Sequence, residues 1–540
     1  MPQASFATVH AAFAEAVRRW PDNGFVCAPP APERDYHPAG VELTFRQVFD
    51  GAEALRRRYA AAGYGHRHRV ALLPEQRPEF FCHYLALNAL GASIVPINPD
   101  YRHDEMCYQM QHSEAQLAVT LAKRQDDLRR VAATLDRALP VVGFEALPER
   151  LPPPAAPAAN DPPGPASEAA LLYTSGTTGR PKGCVLSNEY VLTSGAWYRD
   201  TGGLLTIRPG VERIYNPLPL FHMNCLIGTA TALMLSGGCL ILPARFQPAR
   251  WWPDLVATRA TACHYLGIVA PVLLNQPPVP EETEHAVRFG LGAGIEPELH
   301  AAFETRFGFP LVEVWGMTET GRFLTNHLEP RRVETRAFGR PRDGLLAKVV
   351  DDSEQEVPAG QEGELLVRSA GDEPRRGFFS GYLKNEAATE EAWRGGWFHT
   401  GDVVRQDAEG MLYFVDRKRN IIRRSGENIA GAEVEACLQA HPEVAQVAVL
   451  AVPDALRDEE VLACVVAMPG AAGDAAQAVR LFDWCFERLA YYKAPGWLVF
   501  VDGLPTTGTQ KIQKQNIFPP GQDPRARPDA HDLRSRKKRR

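Results

Sequence analysis

The feature that most constrains the fold is an alternation of helical and β-rich segments that begins near residue 41. The spacing of apolar residues predicts helices over 45–62 and 79–90, and strands over 69–73, 93–97 and 116–120. Alternation of this kind is typical of layered α/β structure with a largely parallel sheet. Because a chain of 540 residues is longer than a single hydrophobic core usually accommodates, we expect two or more domains.

The pattern changes towards the C-terminus. Short strands separated by Gly and Pro turns predict a small barrel-like or antiparallel part between residues 335 and 415. A charged break at 416–420 then precedes a compact α+β segment. We therefore predict an α/β protein in which residues 1–415 form a large N-terminal domain of layered β/α sheets with a small β-barrel-like part. Residues 416–540 would form a small, mobile α+β C-terminal domain.

The basic C-terminal residues 534–540 predict a solvated, disordered end, with contact to an acidic surface as the alternative. The N-terminal segment carries Glu15 and has apolar residues at helical spacing, which predicts an amphipathic helix rather than a signal peptide. No apolar stretch approaches the roughly 18 residues of a membrane span. The ten cysteines form no C-x-x-C pair, which favours free thiols in a reducing compartment.

The expected location is therefore the cytoplasm. A net charge of −6 gives no reason to expect nucleic acid as a partner. The oligomeric state is left open between a monomer and a homodimer.

Residues 171–183 read LLYTSGTTGRPKG, an apolar strand that breaks into a loop of hydroxyl residues and glycines. The loop does not fit the common nucleotide-binding pattern G-x-x-x-x-G-K-[ST]. Its hydroxyl groups, its two glycines and Lys182 nevertheless suit an anion, because glycine lets backbone amides turn towards a phosphate without steric cost. The sequence therefore predicts a phosphate loop of a different kind.

The loop TSGTTGRPKG resembles the phosphate loop of the adenylate-forming superfamily, which includes acyl-CoA synthetases, amino-acid adenylation domains and beetle luciferases. Nearly the whole chain follows that family's order of motifs, from Leu43-Thr44-Phe45 to Lys511. The resemblance implies a two-step ligation in which ATP converts a carboxylate to acyl-AMP with release of pyrophosphate, and a thiol then displaces AMP. It also implies Mg²⁺, with coenzyme A as the thiol substrate.

Further motifs assign roles through the same resemblance. Trp315-Gly316-Met317-Thr318-Glu319 resembles the segment whose aromatic ring stacks on adenine, whose threonine bonds the α-phosphate and whose glutamate holds Mg²⁺. Thr400-Gly401-Asp402 resembles the segment that binds the ribose hydroxyls, which Arg417 would also reach. The ATP-binding residues implied in this way are Thr174, Ser175, Gly176, Thr177, Thr178, Gly179, Lys182, Gly292, Ala293, Gly294, Glu313, Val314, Trp315, Gly316, Met317, Thr318, Asp402, Arg417 and Lys511.

Near the C-terminus, the segment Leu504–Ile512 resembles the motif of the catalytic lysine, here Lys511. The family usually has glycine before this lysine, whereas this chain has Gln510, and Lys514 is a rival candidate. Asp416 is the implied hinge between two orientations of the small domain. Arg424-Ser425-Gly426-Glu427 resembles the loop that enters the site for thiolation, so Ser425, Gly426 and Glu427 are the implied coenzyme A residues.

Pro219-Leu220-Phe221-His222 resembles the segment whose histidine lies near the substrate carboxylate. The implied catalytic residues are Lys511, His222, Thr318 and Glu319, and the implied acyl-binding residues are Phe221, His222, Met223, Asn224, Cys225, Val269 and Gly292. The mixture is apolar with one amide, which suits a small or medium acid and disfavours a free amino acid.

Ala451-Val452-Pro453-Asp454 and Arg457-Asp458-Glu459-Glu460 look most like the crotonobetaine/carnitine–CoA ligase branch of the family. Trp197 and Tyr198 could supply cation–π contacts to a quaternary amine, with a role in the helix core as the alternative. Two other functions remain open: a stand-alone adenylating enzyme that loads a separate carrier protein, and a nucleotide-binding sensor without turnover.

Overall fold

The structure is a computed structural model and describes residues 6–101, 103–174, 181–267, 269–424, 427–454, 457–489, 491–506 and 512–537. The chain divides into two compact units. Unit 1 comprises residues 1–346 and 368–398, and unit 2 comprises residues 347–367 and 399–540. The predicted boundary at 415/416 falls inside unit 2, and as the position of a hinge it stays a prediction.

Unit 1 has the predicted layered α/β architecture. Its helices are α1 (Val9–Arg19), α2 (Phe45–Ala61), α3 (Phe80–Ala89), α4 (His103–Ser113), α5 (Gln125–Ala132), α6 (Asn188–Arg199), α7 (Ala230–Ser236), α8 (Pro248–Ala257), α9 (Val269–Leu274), α10 (Glu281–Glu284), α11 (Pro297–Phe307) and α12 (Glu386–Ala392). Its strands are β1 (Gly24–Ala28), β2 (Val41–Thr44), β3 (Arg69–Leu73), β4 (Ser93–Pro96), β5 (Leu117–Thr120), β6 (Val141–Gly143), β7 (Glu168–Thr174), β8 (Lys182–Ser187), β9 (Arg213–Tyr215), β10 (Cys239–Ile241), β11 (Ala262–Leu266), β12 (Gly290–Ala293), β13 (Leu311–Gly316), β14 (Phe323–Thr325) and β15 (Ala337–Gly339).

Strands β16 (Leu345–Val350) and β17 (Glu362–Ser369) each cross a boundary between the units, and β18 (Gly381–Tyr382) belongs to unit 1. Two sheets form the layers of unit 1. One has the order β14-β13-β12-β11-β9-β10-β1-β2, and the other β18-β8-β7-β4-β3-β5-β6. In each sheet the central strands run parallel and the antiparallel strands lie at the edges, as the alternation of elements predicts.

Local sequence explains where the early helices begin. Thr44 caps α2: its hydroxyl accepts a hydrogen bond from the backbone N–H of Gln47 at 3.2 Å, and the Gln47 side chain accepts one from the Thr44 N–H at 2.8 Å. This reciprocal capping box fixes the start of the helix at Phe45. Phe45 is fully buried and stacks on Phe13 of α1, with ring centroids 5.4 Å apart.

In its described residues, unit 2 combines mostly antiparallel strand pairs, a parallel pair near the C-terminus, and two α-helices. Apart from the portions of β16 and β17, its elements are β19 (Phe398–Gln406), whose first residue belongs to unit 1, β20 (Leu412–Arg417), β21 (Ile421–Arg424), β22 (Glu427–Ala430), α13 (Gly431–Gln439), β23 (Val444–Asp454), β24 (Asp458–Ala467), α14 (Ala475–Arg488), β25 (Trp497–Phe500) and β26 (Ala530–Asp532). β23 and β24 form a long hairpin against which α13 packs. These elements match the α+β segment that the sequence predicts after the charged break.

The prediction of a disordered C-terminal end is wrong for residues 534–537. β26 pairs with β25, Leu533 is 4% exposed, and the side chain of Lys537 is completely buried. The run of basic residues is ordered because its carboxylate partners, Asp454 and Glu460, come from a distant hairpin of the same unit. In the part of the chain that the structure describes, no helix is long and apolar enough to cross a membrane.

Candidate active site

The base of the predicted phosphate loop is an antiparallel hairpin. β7 ends at Thr174 and β8 begins at Lys182, and these two residues are paired across the ladder. The predicted strand before the loop is thus confirmed. The other predicted residues of the loop, Ser175, Gly176, Thr177, Thr178 and Gly179, lie outside the described residues.

Lys182 is joined to Glu319 through a tyrosine. The Lys182 ammonium lies 4.6 Å from the ring centroid of Tyr382, and the Tyr382 hydroxyl donates to Glu319 Oε1 at 2.9 Å. Tyr382 reaches this position because β18 pairs with β8. Burial, reinforced by the nearby charge of Glu319, raises the pKa of Tyr382, so the tyrosine stays a neutral donor. Sequence reasoning missed Tyr382.

Glu319 itself is 7% exposed, in a segment fixed on both sides. The backbone carbonyl of Glu319 accepts from the N–H of Phe379 at 2.9 Å, and the carbonyl of Thr318 accepts from the Tyr190 hydroxyl at 2.5 Å. Gly321 follows with φ of +62°, and a Cβ there would lie 2.5 Å from the Tyr190 ring. The predicted Mg²⁺ carboxylate and phosphate-binding threonine are therefore held by tight backbone packing.

Trp315 lies near the end of β13, immediately before Gly316. It is 6% exposed and lies beside Phe338, with ring centroids 6.0 Å apart and planes tilted by 30°. Val314 precedes Trp315 in the strand, and Met317 follows Gly316. The burial of the indole agrees with an apolar wall, and stacking on adenine stays a prediction.

Glu313 supports the glycine-rich strand end instead of pointing its charge at solvent. Its carboxylate accepts hydrogen bonds from the Tyr265 hydroxyl at 2.7 Å, the Gly294 N–H at 3.0 Å and the Ile295 N–H at 3.3 Å. Burial raises the pKa of Glu313. Because β11, β12 and β13 are adjacent and parallel, their carboxyl ends meet at one edge, the usual position of a ligand crevice.

Close approach of the backbone explains the glycines at this edge. A Cβ at Gly292 would lie 2.2 Å from the Tyr265 carbonyl oxygen, and Gly294 has φ of +84°. Ala293, between them, is exposed at the end of β12. The three predicted residues are thus brought to the same edge as Gly316.

The predicted carboxylate-binding segment is clamped by Gln76. The Gln76 amide donates to the Leu218 carbonyl at 3.1 Å and accepts from the Leu220 N–H at 2.8 Å. Phe221 and His222 follow directly, both half-buried, with ring centroids 4.4 Å apart. Met223 is also half-buried, as is Asn224, the first residue of a π-helix that extends to Thr229.

A buried polar network continues inward from Asn224. The Asn216 amide donates to Asn224 Oδ1 and to Thr229 Oγ1, both at 3.0 Å, and the Thr229 hydroxyl donates to the Asn224 carbonyl at 2.9 Å. Thr229 Oγ1 also lies 3.5 Å from His264 Nε2, which bonds the Tyr198 hydroxyl at 2.9 Å. Sequence reasoning missed His264.

The imidazole of His264 is neutral, and one of its two nitrogens lacks a hydrogen-bond partner among the described residues. It is 1% exposed, and burial lowers its pKa to about 3. We assign the ring proton to Nδ1, because His264 Nε2 is the acceptor that the described residues offer the buried Tyr198 hydroxyl. Among the described residues, Nδ1 has no hydrogen-bond partner.

Three other residues predicted to contact the substrate, Trp197, Val269 and Cys225, are packed in the protein core. Arg342 lies 3.7 Å from the Trp197 ring centroid, and the Trp197 N–H donates to the Phe323 carbonyl, which favours the core role of Trp197 over a quaternary-amine contact. Val269 is 4% exposed and packs in a cluster with Trp251, and Cys225 is fully buried. Acyl contacts of Val269 and Cys225 stay predictions.

In unit 2 the two predicted ribose residues are brought together. Asp402 and Arg417 are paired across β19 and β20, and Arg417 Nε lies 2.7 Å from Asp402 Oδ1. The Asp402 side chain is 1% exposed, and the Asp402 N–H donates to the Thr400 hydroxyl at 3.1 Å. A nearly buried carboxylate next to a guanidinium can accept hydrogen bonds from a diol.

The predicted hinge residue, Asp416, ties the end of β20 to α13. Its carboxylate accepts from the Ala432 N–H at 2.8 Å, the Arg417 N–H at 2.6 Å and the Asn420 amide at 3.1 Å. The position at the N-terminus of α13 also favours a negative charge. Whether the chain turns about Asp416 stays a prediction.

Lys511 lies outside the described residues, but its flanks are paired. Thr506 and Ile512 form an antiparallel bridge, and the Gln513 N–H donates to the Pro505 carbonyl at 2.8 Å. The rival Lys514 forms an ion pair with Glu435 of α13 at 2.8 Å. This pairing favours a structural role for Lys514.

The predicted thiolation segment is a hairpin in which Arg424 of β21 pairs with Glu427 of β22. The two connecting residues, Ser425 and Gly426, lie outside the described residues.

Comparison with family models identifies the family of this chain. The model of the AMP-binding enzyme family matches residues 13–383, and that of the AMP-binding enzyme C-terminal domain matches residues 433–511. The chain therefore belongs to the AMP-binding enzyme family, the adenylate-forming superfamily that its motifs resemble.

Its relatives include CoA ligases. The chain is 32% identical to the sulfoacetate–CoA ligase of Cupriavidus necator, over 95% of this chain and 98% of that one. It is 30% identical to the crotonobetaine/carnitine–CoA ligase of Citrobacter koseri, over 85% and 90% of the respective chains. Among solved structures, ATP-bound MatB from Rhodopseudomonas palustris has a TM-score of 0.77 and 26% identity, covering 94% of this chain and 97% of that one.

Proposed function

We propose that this chain activates a small or medium carboxylic acid that carries a second polar group, and that different residues serve the two half-reactions. The chain is an AMP-forming carboxylate–CoA ligase, as its family and its relatives named for CoA ligation indicate. The observation that supports the adenylation half of this proposal best is the chain of contacts from Lys182 through Tyr382 to Glu319.

In the first half-reaction, a carboxylate oxygen attacks the α-phosphorus of ATP, the bond to the bridging oxygen breaks, and pyrophosphate leaves. Lys182 would neutralise the departing phosphates, while Lys511 would hold the carboxylate against the α-phosphate. Glu319 would hold Mg²⁺, which suits a single carboxylate together with phosphate oxygens and supplies charge neutralisation when bound. Tyr382 couples the two predicted phosphate contacts, because one hydroxyl and one ring face fix Glu319 and Lys182 together.

In the second half-reaction, the thiol sulfur of coenzyme A attacks the acyl carbon and the bond to the AMP oxygen breaks. The hairpin that carries Ser425 and Gly426 would admit the thiol. Because adenylation alone uses Lys511, the two half-reactions should respond differently to substitutions in unit 2.

We propose the second polar group of the acid because His264 has a buried N–H donor whose hydrogen bond a substrate oxygen could accept. The predicted acyl-binding segment reaches His264 at Nε2, through Asn224 and Thr229. The other ring nitrogen, Nδ1, carries the N–H that the described residues leave without an acceptor. An unmet buried donor costs about 1–3 kcal/mol, which a hydroxyl or carbonyl oxygen on the substrate would recover. The neutral imidazole favours an uncharged acceptor over a second anion.

A panel of matched acids tests this proposal. Each pair differs only in one hydroxyl or keto oxygen distant from the reacting carboxylate, and kcat/KM is read from pyrophosphate release. We expect His264→Leu to lose about tenfold for the acid with the oxygen and little for its apolar partner, since one buried hydrogen bond is worth about 1.4 kcal/mol.

His300→Leu is the matched control, because His300 is 2% exposed and its Nδ1 also lacks a partner among the described residues, whereas its Nε2 bonds the backbone of β13. Equal losses for both acids in His264→Leu, or the same selectivity change in His300→Leu, would contradict the proposed contact.

Two other functions are possible outcomes of these assays. Acyl-AMP formation without acyl-CoA would indicate a stand-alone enzyme that loads a carrier protein, and binding of ATP without pyrophosphate release would indicate a sensor.

The ten cysteines, all described, are free thiols, which supports a reducing compartment such as the cytoplasm. The choice between monomer and homodimer stays a prediction.

A further inference from the structure

Unit 2 contains a buried cluster of three charged side chains that the ligation mechanism does not use. Lys537 Nζ lies 2.5 Å from Glu460 Oε1, and Arg424 Nε lies 2.8 Å from Glu460 Oε2. The exposed fractions of these side chains are 0% for Lys537, 1% for Glu460 and 6% for Arg424. One carboxylate thus bridges two cations, one from β21 and one from the C-terminal end.

The surroundings are shaped for this carboxylate. Glu460 Oε1 also accepts from the Val461 N–H at 2.8 Å, and a Cβ at position 496 would lie 2.4 Å from the Glu460 carboxyl carbon, so only glycine fits there. Both oxygens of Glu460 are therefore occupied. Buried charges persist only when they are paired and hydrogen-bonded in this way, and removing one partner leaves the others uncompensated.

The segment that precedes Lys537 is held in place by hydrogen bonds, an ion pair and apolar packing. The Leu533 N–H donates to the Gly496 carbonyl at 2.9 Å, and the Leu533 side chain is buried in the core of unit 2. Arg534 pairs with Asp454 at 2.8 Å and lies over the Trp497 ring. Lys537 consequently enters the interior from an ordered segment.

Arg424 is the last residue of β21 and pairs with Glu427 across the two residues Ser425 and Gly426. Its side chain is the link between the buried cluster and this hairpin. We propose that Lys537 is a positioning residue for the second half-reaction, which through Glu460 holds Arg424 and so fixes the hairpin that admits coenzyme A. This inference rests on the proposed role of the hairpin in thiolation.

The test compares the two half-reactions in the full-length protein. Adenylation is measured as pyrophosphate release in a single turnover with ATP and acid. Thiolation is measured as conversion of preformed acyl-AMP to acyl-CoA. For Lys537→Met we expect thiolation to fall about tenfold while adenylation stays within about twofold of the wild type, because one charge-assisted buried contact is removed from one loop only.

Arg536→Met is the matched control, since Arg536 is the preceding basic residue but faces Asp483 at the surface, 3.4 Å away. It should leave both rates unchanged. Lys537→Gln keeps a donor for Glu460 without the charge, and we expect it to recover part of the lost thiolation rate. It also keeps the proposal testable if Lys537→Met does not fold.

Parallel losses of both half-reactions in Lys537→Met and Lys537→Gln would indicate a structural role only, and unchanged rates would show that the cluster has no influence on the hairpin. Either result overturns the inference. A wild-type protein that makes acyl-AMP but no acyl-CoA would overturn the proposed function instead, so the two failures can be told apart.

Discussion

The two units use carboxylates in different ways. In unit 1, Glu313 and Glu319 lie on or just beyond one strand, β13, and are fixed by hydrogen bonds from tyrosine hydroxyls. In unit 2, Asp416, Glu435 and Glu460 each hold a loop or terminal segment against a helix or strand. In unit 1 these carboxylates lie at the edge predicted to bind a ligand, whereas in unit 2 they hold loop and terminal segments in place.

This difference has a functional consequence. Substitutions at Glu313, which supports the strand end predicted to bind the nucleotide, should weaken binding of the AMP moiety that both half-reactions share. Substitutions among the loop-holding groups of unit 2 should affect one half-reaction and spare the other.

The largest effect should come from Lys511→Ala. We expect adenylation to fall about a hundredfold to a thousandfold, the typical loss of about 3–4 kcal/mol when one preorganised charge is removed from a transition state. Single-turnover pyrophosphate release measures this rate. Lys514→Met is the control, since Lys514 is paired with Glu435, and it should retain adenylation within a few-fold of the wild type. The reverse ranking of the two variants would transfer the catalytic role to Lys514.

A smaller effect is expected for Asp402→Asn. Asp402 is almost fully buried beside Arg417, so loss of its charge weakens both the ion pair and the predicted ribose contact. The KM for ATP should rise about tenfold to a hundredfold, while the KM for the acid stays nearly constant. Asp407→Asn provides the same substitution in the turn after β19, where the carboxylate caps Glu409 and Met411, and should not change the KM for ATP. A rise in both Michaelis constants for Asp402→Asn would argue against the ribose assignment.

The smallest of these effects is expected for Tyr382→Phe. The substitution removes the hydrogen bond to Glu319 but keeps the ring beside Lys182. A neutral hydrogen bond to a charged group is worth about 1.5 kcal/mol at least, so adenylation should fall about tenfold and require more Mg²⁺ for half-maximal rate. Tyr413→Phe removes a comparable hydroxyl from Asp407 in unit 2 and should leave the Mg²⁺ requirement unchanged.

Local patterns in the sequence were sufficient for much of the fold. The apolar spacing over 45–62 and the apolar run before Ser175 predict α2 and β7, because the determinants of each element lie within the element itself. The C-terminal end was mispredicted for the opposite reason. Lys537 lies in a run of basic residues that indicates solvation, and its partner Glu460 is 77 positions away in the sequence.

In the candidate site, too, contacts between residues far apart in the sequence could not be predicted. Glu319, Asp402 and Arg417 could be predicted because each stands in a recognisable motif, and the structure pairs the last two directly. Tyr382 and His264 could not be predicted, since each acquires its role only when strands from distant parts of the chain come together. The short strand Gly381–Tyr382 gives little pattern of its own, and a lone histidine in an apolar strand resembles any buried core residue.

The most direct test of the account measures both half-reactions side by side for Lys511→Ala and Lys537→Met. We predict opposite defects: Lys511→Ala should lose adenylation but convert preformed acyl-AMP to acyl-CoA, and Lys537→Met should make acyl-AMP normally but transfer it slowly. Such a crossed pattern requires that separate parts of unit 2 serve the two steps. Parallel losses in both half-reactions for both variants would contradict the division of labour proposed here.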